Sequence, residues 1–85
     1  MIHQRSDYDR IQDPSGKIPD DEPVFLLRAK DLAAPATVDY WALRAESLGA
    51  SPEMVETARR LAQAMRDYQR NHPSRVPDMP RDIGR

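Results

Sequence analysis

The stretch Gly49-Ala50-Ser51-Pro52-Glu53 limits the chain most severely, because it ends one helical pattern and starts another with about two residues between them. Gly49 follows an apolar-periodic run as the left-handed stop that glycine adopts without a Cβ penalty. Ser51-Pro52-Glu53 then restarts a helix. It supplies a hydroxyl cap, a proline at the first helical position where a missing N–H costs nothing, and an acid near the positive end of the dipole. Helices joined by so short a link pack antiparallel, as an αα-hairpin.

The apolar period on either side agrees with these signals. Before the link, Pro35 suits a first helical position, and Val38, Trp41, Ala42, Ala45 and Leu48 recur at three- and four-residue steps, which places them on one face. After it, Met54, Val55, Ala58, Leu61, Ala62, Met65 and Tyr68 form a second stripe, closed by Asn71-His72-Pro73. Six of the eight prolines lie outside this hairpin, and the other two sit at helix starts. The expected organisation is an acidic N-terminal arm over 1–22, a helical-hairpin domain over 23–72 and a proline-rich tail over 73–85. The expected class is mainly α: an antiparallel helical hairpin with an N-terminal extended or short-helical segment and proline-rich tails.

The flanks are less constrained. Residues 1–22 mix six acids with Pro14, Gly16 and Pro19, and lack the apolar content to fold alone. Asp13-Pro14-Ser15-Gly16 has the signature of a turn. Tyr8 and Ile11 are the arm's anchors for docking on a neighbour. The arm is either disordered or wrapped on the hairpin or on a second subunit. In Pro23-Val-Phe-Leu-Leu-Arg-Ala-Lys-Asp31 two readings compete: Val24 to Leu27 favour a buried strand, and Leu26 to Ala33 favour helix. A strand would place Phe25, Leu27 and Ala29 on one side and would need a partner strand from a second copy. A helix would align Phe25, Ala29 and Leu32. Beyond Pro73 the prolines point to an extended tail, with Val76, Met79 and Ile83 able to press on another surface.

Composition bears on assembly. The chain has 85 residues, 39% hydrophobic and 32% charged, with no cysteine. A domain of about 60 residues buries only about 60% of its unfolded surface, so stability is marginal without staples. Neither a disulfide nor a cysteine-based zinc site can supply one. Oligomerisation is the remaining common route, and a homo-oligomer sharing helix faces or arms is expected. The net charge of −1 argues against general nucleic-acid coating. The charge is uneven, with residues 1–23 at −3 and residues 49–85 at +2. No apolar run approaches the ~20 residues of a membrane span, and Met1-Ile-His-Gln-Arg does not resemble a signal peptide. A soluble, cytoplasmic protein without membrane partners is expected.

The residues give no support to catalysis, a cofactor or a metal site. His3 and His72 are the only histidines, no Ser, His and acid are spaced as a triad, and three glycines make no phosphate loop. The more specific feature is an anion site. Arg28 and Lys30 stand just before a helix beginning near Ala34-Pro35, where backbone N–H groups and the dipole favour phosphate. Small Ala33, Ala34 and Ala36 would admit a ligand, and Tyr40 or Trp41 could stack on a base. Against this, Arg28 and Lys30 could pair with Asp31 or Asp39, and Trp41 could be core. Arg59, Gln63, Arg66 and Arg70 share one face of the second helix, a candidate surface for nucleic acid, a nucleotide or an acidic protein. Glu56 and Asp67 are placed to neutralise much of it.

The stretch Asp21-Glu-Pro-Val-Phe-Leu-Leu-Arg-Ala-Lys-Asp31, with Ala34-Pro35, Trp41-Ala42 and a helix ending in Tyr68-Gln69 before His72-Pro73, resembles small proteins encoded by tailed bacteriophages, over about residues 20–77. The resemblance implies a phage accessory protein that antagonises host defence, in the host cytoplasm, by sequestering a nucleotide signal or blocking a defence protein. It carries over no functional residue. The expected function is therefore non-enzymatic capture of a small phosphorylated ligand by Arg28, Lys30, the turn at Ala34, and Tyr40 or Trp41. The alternatives are a protein-binding inhibitor or assembly factor, and then nucleic-acid binding through Arg59, Arg66 and Arg70.

Overall fold

The computed structural model describes residues 1–5, 7 and 13–79. Its elements in order are β1 (Ile2–His3), β2 (Pro23–Val24), α1 (Ala34–Ser47) and α2 (Pro52–Asn71). The chain divides into two compact units, Met1–Leu26 with Asp78–Arg85, and Leu27–Pro77. The first contains a small parallel sheet and the second contains both helices.

In the helical unit the link behaves as its residues dictate. Gly49 has φ +93°. Its N–H donates to Glu46 O at 3.1 Å and that of Ala50 donates to Ala45 O at 2.9 Å, the paired bonds of a Schellman stop. The Ser51 hydroxyl accepts from the Met54 N–H at 3.2 Å, with Pro52 opening α2 and Glu53 in its first turn. At the far end Pro73 disfavours helical geometry for the residue before it, and His72 is extended at φ −141°, ψ 149°. The helices run antiparallel: Asp39 and Glu46 of α1 pair with Arg66 and Arg59 of α2, in reverse order along the chain.

The seam between them is narrower than the two stripes. Ala34, Val38 and Ala42 of α1 and Val55, Ala62 and Met65 of α2 are buried. Trp41 and Leu48, expected on the inner face, are at least half exposed, as are Met54 and Leu61, and Tyr68 is exposed beside them. The reason is geometric. One neighbouring helix covers only the centre line of a stripe that spans more than a third of the helix circumference, so the edge residues stay in solvent.

The remaining cover comes from residues 27–33 and 75. Leu27 and Ala29 pack on the cluster of Ala34, Val38, Ala62 and Met65. The stretch is held in place by backbone and side chain together. Arg75 N–H donates to Lys30 O and Leu32 N–H donates to Arg75 O, both at 2.8 Å. The Gln69 amide donates to Ala29 O at 2.8 Å and Asp31 O at 2.9 Å. The proline-rich segment is thus tied down at its start, while Val76 and Met79 are exposed.

The sheet unit corrects the reading of 23–31. β1 and β2 pair in parallel, Ile2 with Pro23 and His3 with Val24. The strand's partner is the chain's own N-terminus and not a second copy. Ile2 N–H donates to Glu22 O at 2.8 Å, the terminal ammonium donates to Pro19 O at 2.6 Å, and the Gln4 amide donates to Leu26 O at 3.3 Å. Only Val24 of the apolar run joins the sheet. The helical alternative does not form, and Phe25 and Leu32, which it would align with Ala29, are both exposed. The turn at 13–16 forms, with Gly16 N–H donating to Asp13 O at 2.9 Å and the Asp13 carboxylate accepting from Ile18 N–H at 2.9 Å. Tyr8, Ile11 and Ile83 lie outside the described residues.

Candidate functional site

The start of α1 is where the anion site was expected, and the N–H groups of Ala33, Ala34 and Thr37 there already have partners. Ala33 N–H donates to the Asp31 carboxylate at 2.8 Å and Ala34 N–H donates to Asp31 O at 2.9 Å. Pro35 has no N–H, and Thr37 returns its N–H and hydroxyl to Ala33 O at 3.2 and 2.7 Å. Asp31 thus places a carboxylate where the positive end of the dipole favours an anion, and a phosphate would have to displace it. Ala34 and Pro35 are buried, which leaves Ala33 and Ala36 as the accessible small residues of the turn.

Arg28 and Lys30 sit on the turn closed by Asp31 N–H donating to Arg28 O at 3.0 Å. Arg28 is exposed and Lys30 half-buried, and neither forms a salt bridge among the described residues. Tyr40 and Trp41 stand apart from them. At 1.5 Å per residue they lie about 9–10 Å along α1 from Ala34, Tyr40 on the outward face and Trp41 at an edge of the seam. The structure gathers Arg28, Lys30 and the first turn into one short stretch and leaves the two aromatic rings on other faces of the helix.

The arginine face of α2 is matched to carboxylates. Arg59 reaches Glu46 at 3.4 Å, Arg60 reaches Glu56 at 3.2 Å, Arg66 pairs with Asp39 and Arg70 with Asp67. Gln63 donates to Asp67 at 3.1 Å. A phosphate backbone would have to compete with four carboxylates, two of which also join the helices. Pairs this exposed contribute only about 0–1 kcal/mol each, so their effect is on register and local charge more than on stability.

The histidines remain apart from any nucleophile or acid cluster. His72 Nδ1 lies 2.9 Å from Tyr68 O, and its ring stacks on that of Tyr68 with centroids 3.8 Å apart. His3 belongs to β1, and both its ring nitrogens are enclosed without a hydrogen-bond partner. Among the described residues no three His, Cys, Asp or Glu side chains gather as a metal-ligand set. No helix among them is long and apolar enough to cross a membrane.

Three residues matter more than the sequence reading implied. The Asp31 carboxylate accepts from the Ala33 N–H in an Asx turn just ahead of α1. Gln69 anchors residues 29–31, for which the signal was a polar residue seven after buried Ala62. Leu43 is 57% exposed and shares the outward face of α1 with Tyr40, 60% exposed. Arg44 is exposed beside Tyr40. No protein-family model matches the sequence, and neither a curated protein nor a solved structure is similar to it.

Proposed function

We propose that this chain is a non-enzymatic, mainly helical protein-binding module of the cytoplasm, an inhibitor or assembly factor that presents the outward face of α1 to an apolar patch on a target protein. The observation that carries this reading is the exposure of Tyr40 and Leu43 on the face of α1 opposite the seam. A helix that is apolar on its outer as well as its inner face calls for cover on both sides. Tyr40 and Arg44 are also of the residue types that concentrate binding energy in interfaces. In the phage setting that the resemblance implies, the target is a host defence protein.

The test is capture of a stoichiometric complex by the full chain, with cross-links mapped back to its residues. Tyr40→Ala with Leu43→Ala is expected to abolish the complex while helical circular dichroism is retained. A complex that survives both changes, or whose cross-links avoid α1, contradicts the reading.

Capture of a phosphorylated small molecule is the second reading, supported by the absence of salt bridges at Arg28 and Lys30 among the described residues. Native mass spectrometry of gently purified protein tests it. Extra mass of a small molecule, lost in Arg28→Ala/Lys30→Ala, is the expected result, and retention by that variant sinks the assignment.

A further inference from the structure

The two flanks of the helical pair can be assigned from the ion pairs alone. Around α1 from the buried line Ala34, Val38 and Ala42, Asp39 and Glu46 fall to one side and Trp41 and Leu48 to the other. Around α2 from Val55 and Ala62, Arg59 and Arg66 fall to one side and Met54, Leu61 and Tyr68 to the other. The bridges Asp39–Arg66 and Glu46–Arg59 bring the polar lines together on one flank. The apolar lines therefore share the opposite flank. The same bridges set the register, which puts Trp41 level with the stretch between Leu61 and Tyr68, and Leu48 level with that between Met54 and Leu61.

We infer that this flank is the contact surface for a second copy of the chain, two helical pairs joining about a two-fold axis as a four-helix bundle. The surface differs from the outward face of α1 proposed for a target protein, so the two can be tested separately.

Period, charge and area all point to a second copy. Met54, Leu61 and Tyr68, all exposed, stand seven residues apart along α2, twice a 3.5-residue period, while Ala58 and Met65 between them pack into this chain's own core. That period keeps one seam facing a partner helix at a shallow crossing angle, as in coiled coils and four-helix bundles. Val55, Ala62 and Gln69 run beside this line and face α1, so α2 has the pattern of a helix with two helical neighbours.

The five apolar side chains have no Asp or Glu among them, and Arg44 and Glu53 lie only at the outer edges, in a chain of which 32% is charged. A surface meeting its own copy across a two-fold axis must avoid facing like charges, and this one does. Trp41, Leu48, Met54, Leu61 and Tyr68 are 42% to 75% exposed. With about 150–250 Å² for a whole aromatic side chain, the five together leave on the order of 500 Å² accessible. A standard interface takes roughly 800 Å² per partner, and Thr37, Thr57 and Ala64 extend the patch toward that. The buried core of the unit is by contrast half alanine, and Val55 is its only large side chain wholly enclosed among the described residues.

Sedimentation equilibrium of the full chain tests the inference, alongside Leu61→Lys on the flank and Leu43→Lys on the outward face. The wild type is expected to be a dimer. Leu61→Lys should weaken it about tenfold or more with helical circular dichroism unchanged, and Leu43→Lys should leave it intact. Should Leu61→Lys lose helix, Met54→Gln in the first turn of α2 replaces it, with the same weakening expected. A wild type that stays monomeric up to its solubility limit overturns the inference, because the flank is then covered by this chain's own residues or by another protein. So does a dimer that Leu43→Lys dissolves and both flank variants leave intact.

Discussion

Along one flank of the α1–α2 pair Asp39 and Glu46 meet Arg66 and Arg59, and along the other Trp41, Leu48, Met54, Leu61 and Tyr68 stand in solvent without an acid among them. Both flanks border the same narrow seam, yet they act differently. Charge pairs at a surface add little stability, but they penalise a slipped register, because a one-turn shift sets Asp39 and Glu46 against other partners. Apolar side chains fix no register unaided, but each is a favourable term waiting for a neighbour. The polar flank thus adds a small bias to an alignment that the short link and the seam already hold, and the apolar flank bears on what the pair can associate with.

That contrast can be probed from the strongest expected effect to the weakest. Met65→Ala, at the buried seam, should cost about 3 kcal/mol in urea unfolding, the reference for both flanks. Leu61→Ala should cost about 1–2 kcal/mol, and the loss should grow with protein concentration, because the side chain stabilises an associated state. A loss that does not vary with concentration would break the contrast. Gln69→Ala should cost about 1 kcal/mol by leaving the Ala29 and Asp31 carbonyls without their donor, with hydrogen-exchange protection falling first at Leu32, the amide held by Arg75 O. Asp39→Asn should cost under about 1 kcal/mol at low salt and close to nothing at high salt. A large, salt-insensitive loss there would show the polar flank to be part of the core.

Much of the helical pair was legible in the sequence because its signals are local. The Gly49 stop, the Ser51 cap and the break at Pro73 each involve residues within a turn of one another. The intrahelical pairs Glu56–Arg60 and Asp67–Arg70 follow from spacing alone, whereas Asp39–Arg66 and Glu46–Arg59 depend on the register of two helices. The stripes were legible too, but not how much of them one partner helix covers, and Trp41 and Leu48 therefore moved from inner face to edge. The stretch 23–31 was illegible because its conformation is set from a distance, by Ile2–His3 at one end and by Gln69 and Arg75 at the other. At the candidate anion site, spacing placed Arg28 and Lys30 just before a helix start. It gave no sign that the Asp31 side chain would fold back onto the Ala33 N–H.

Trp41 is the chain's single tryptophan and stands half exposed on the apolar flank, so its fluorescence reports directly on that surface. A dilution series of the chain should show blue-shifted emission at high concentration that moves to the red on dilution, with the same midpoint as the loss of dimer by sedimentation. Emission characteristic of solvent-exposed tryptophan at concentrations where the dimer is fully formed would contradict the assignment of this flank as the surface that a second copy covers.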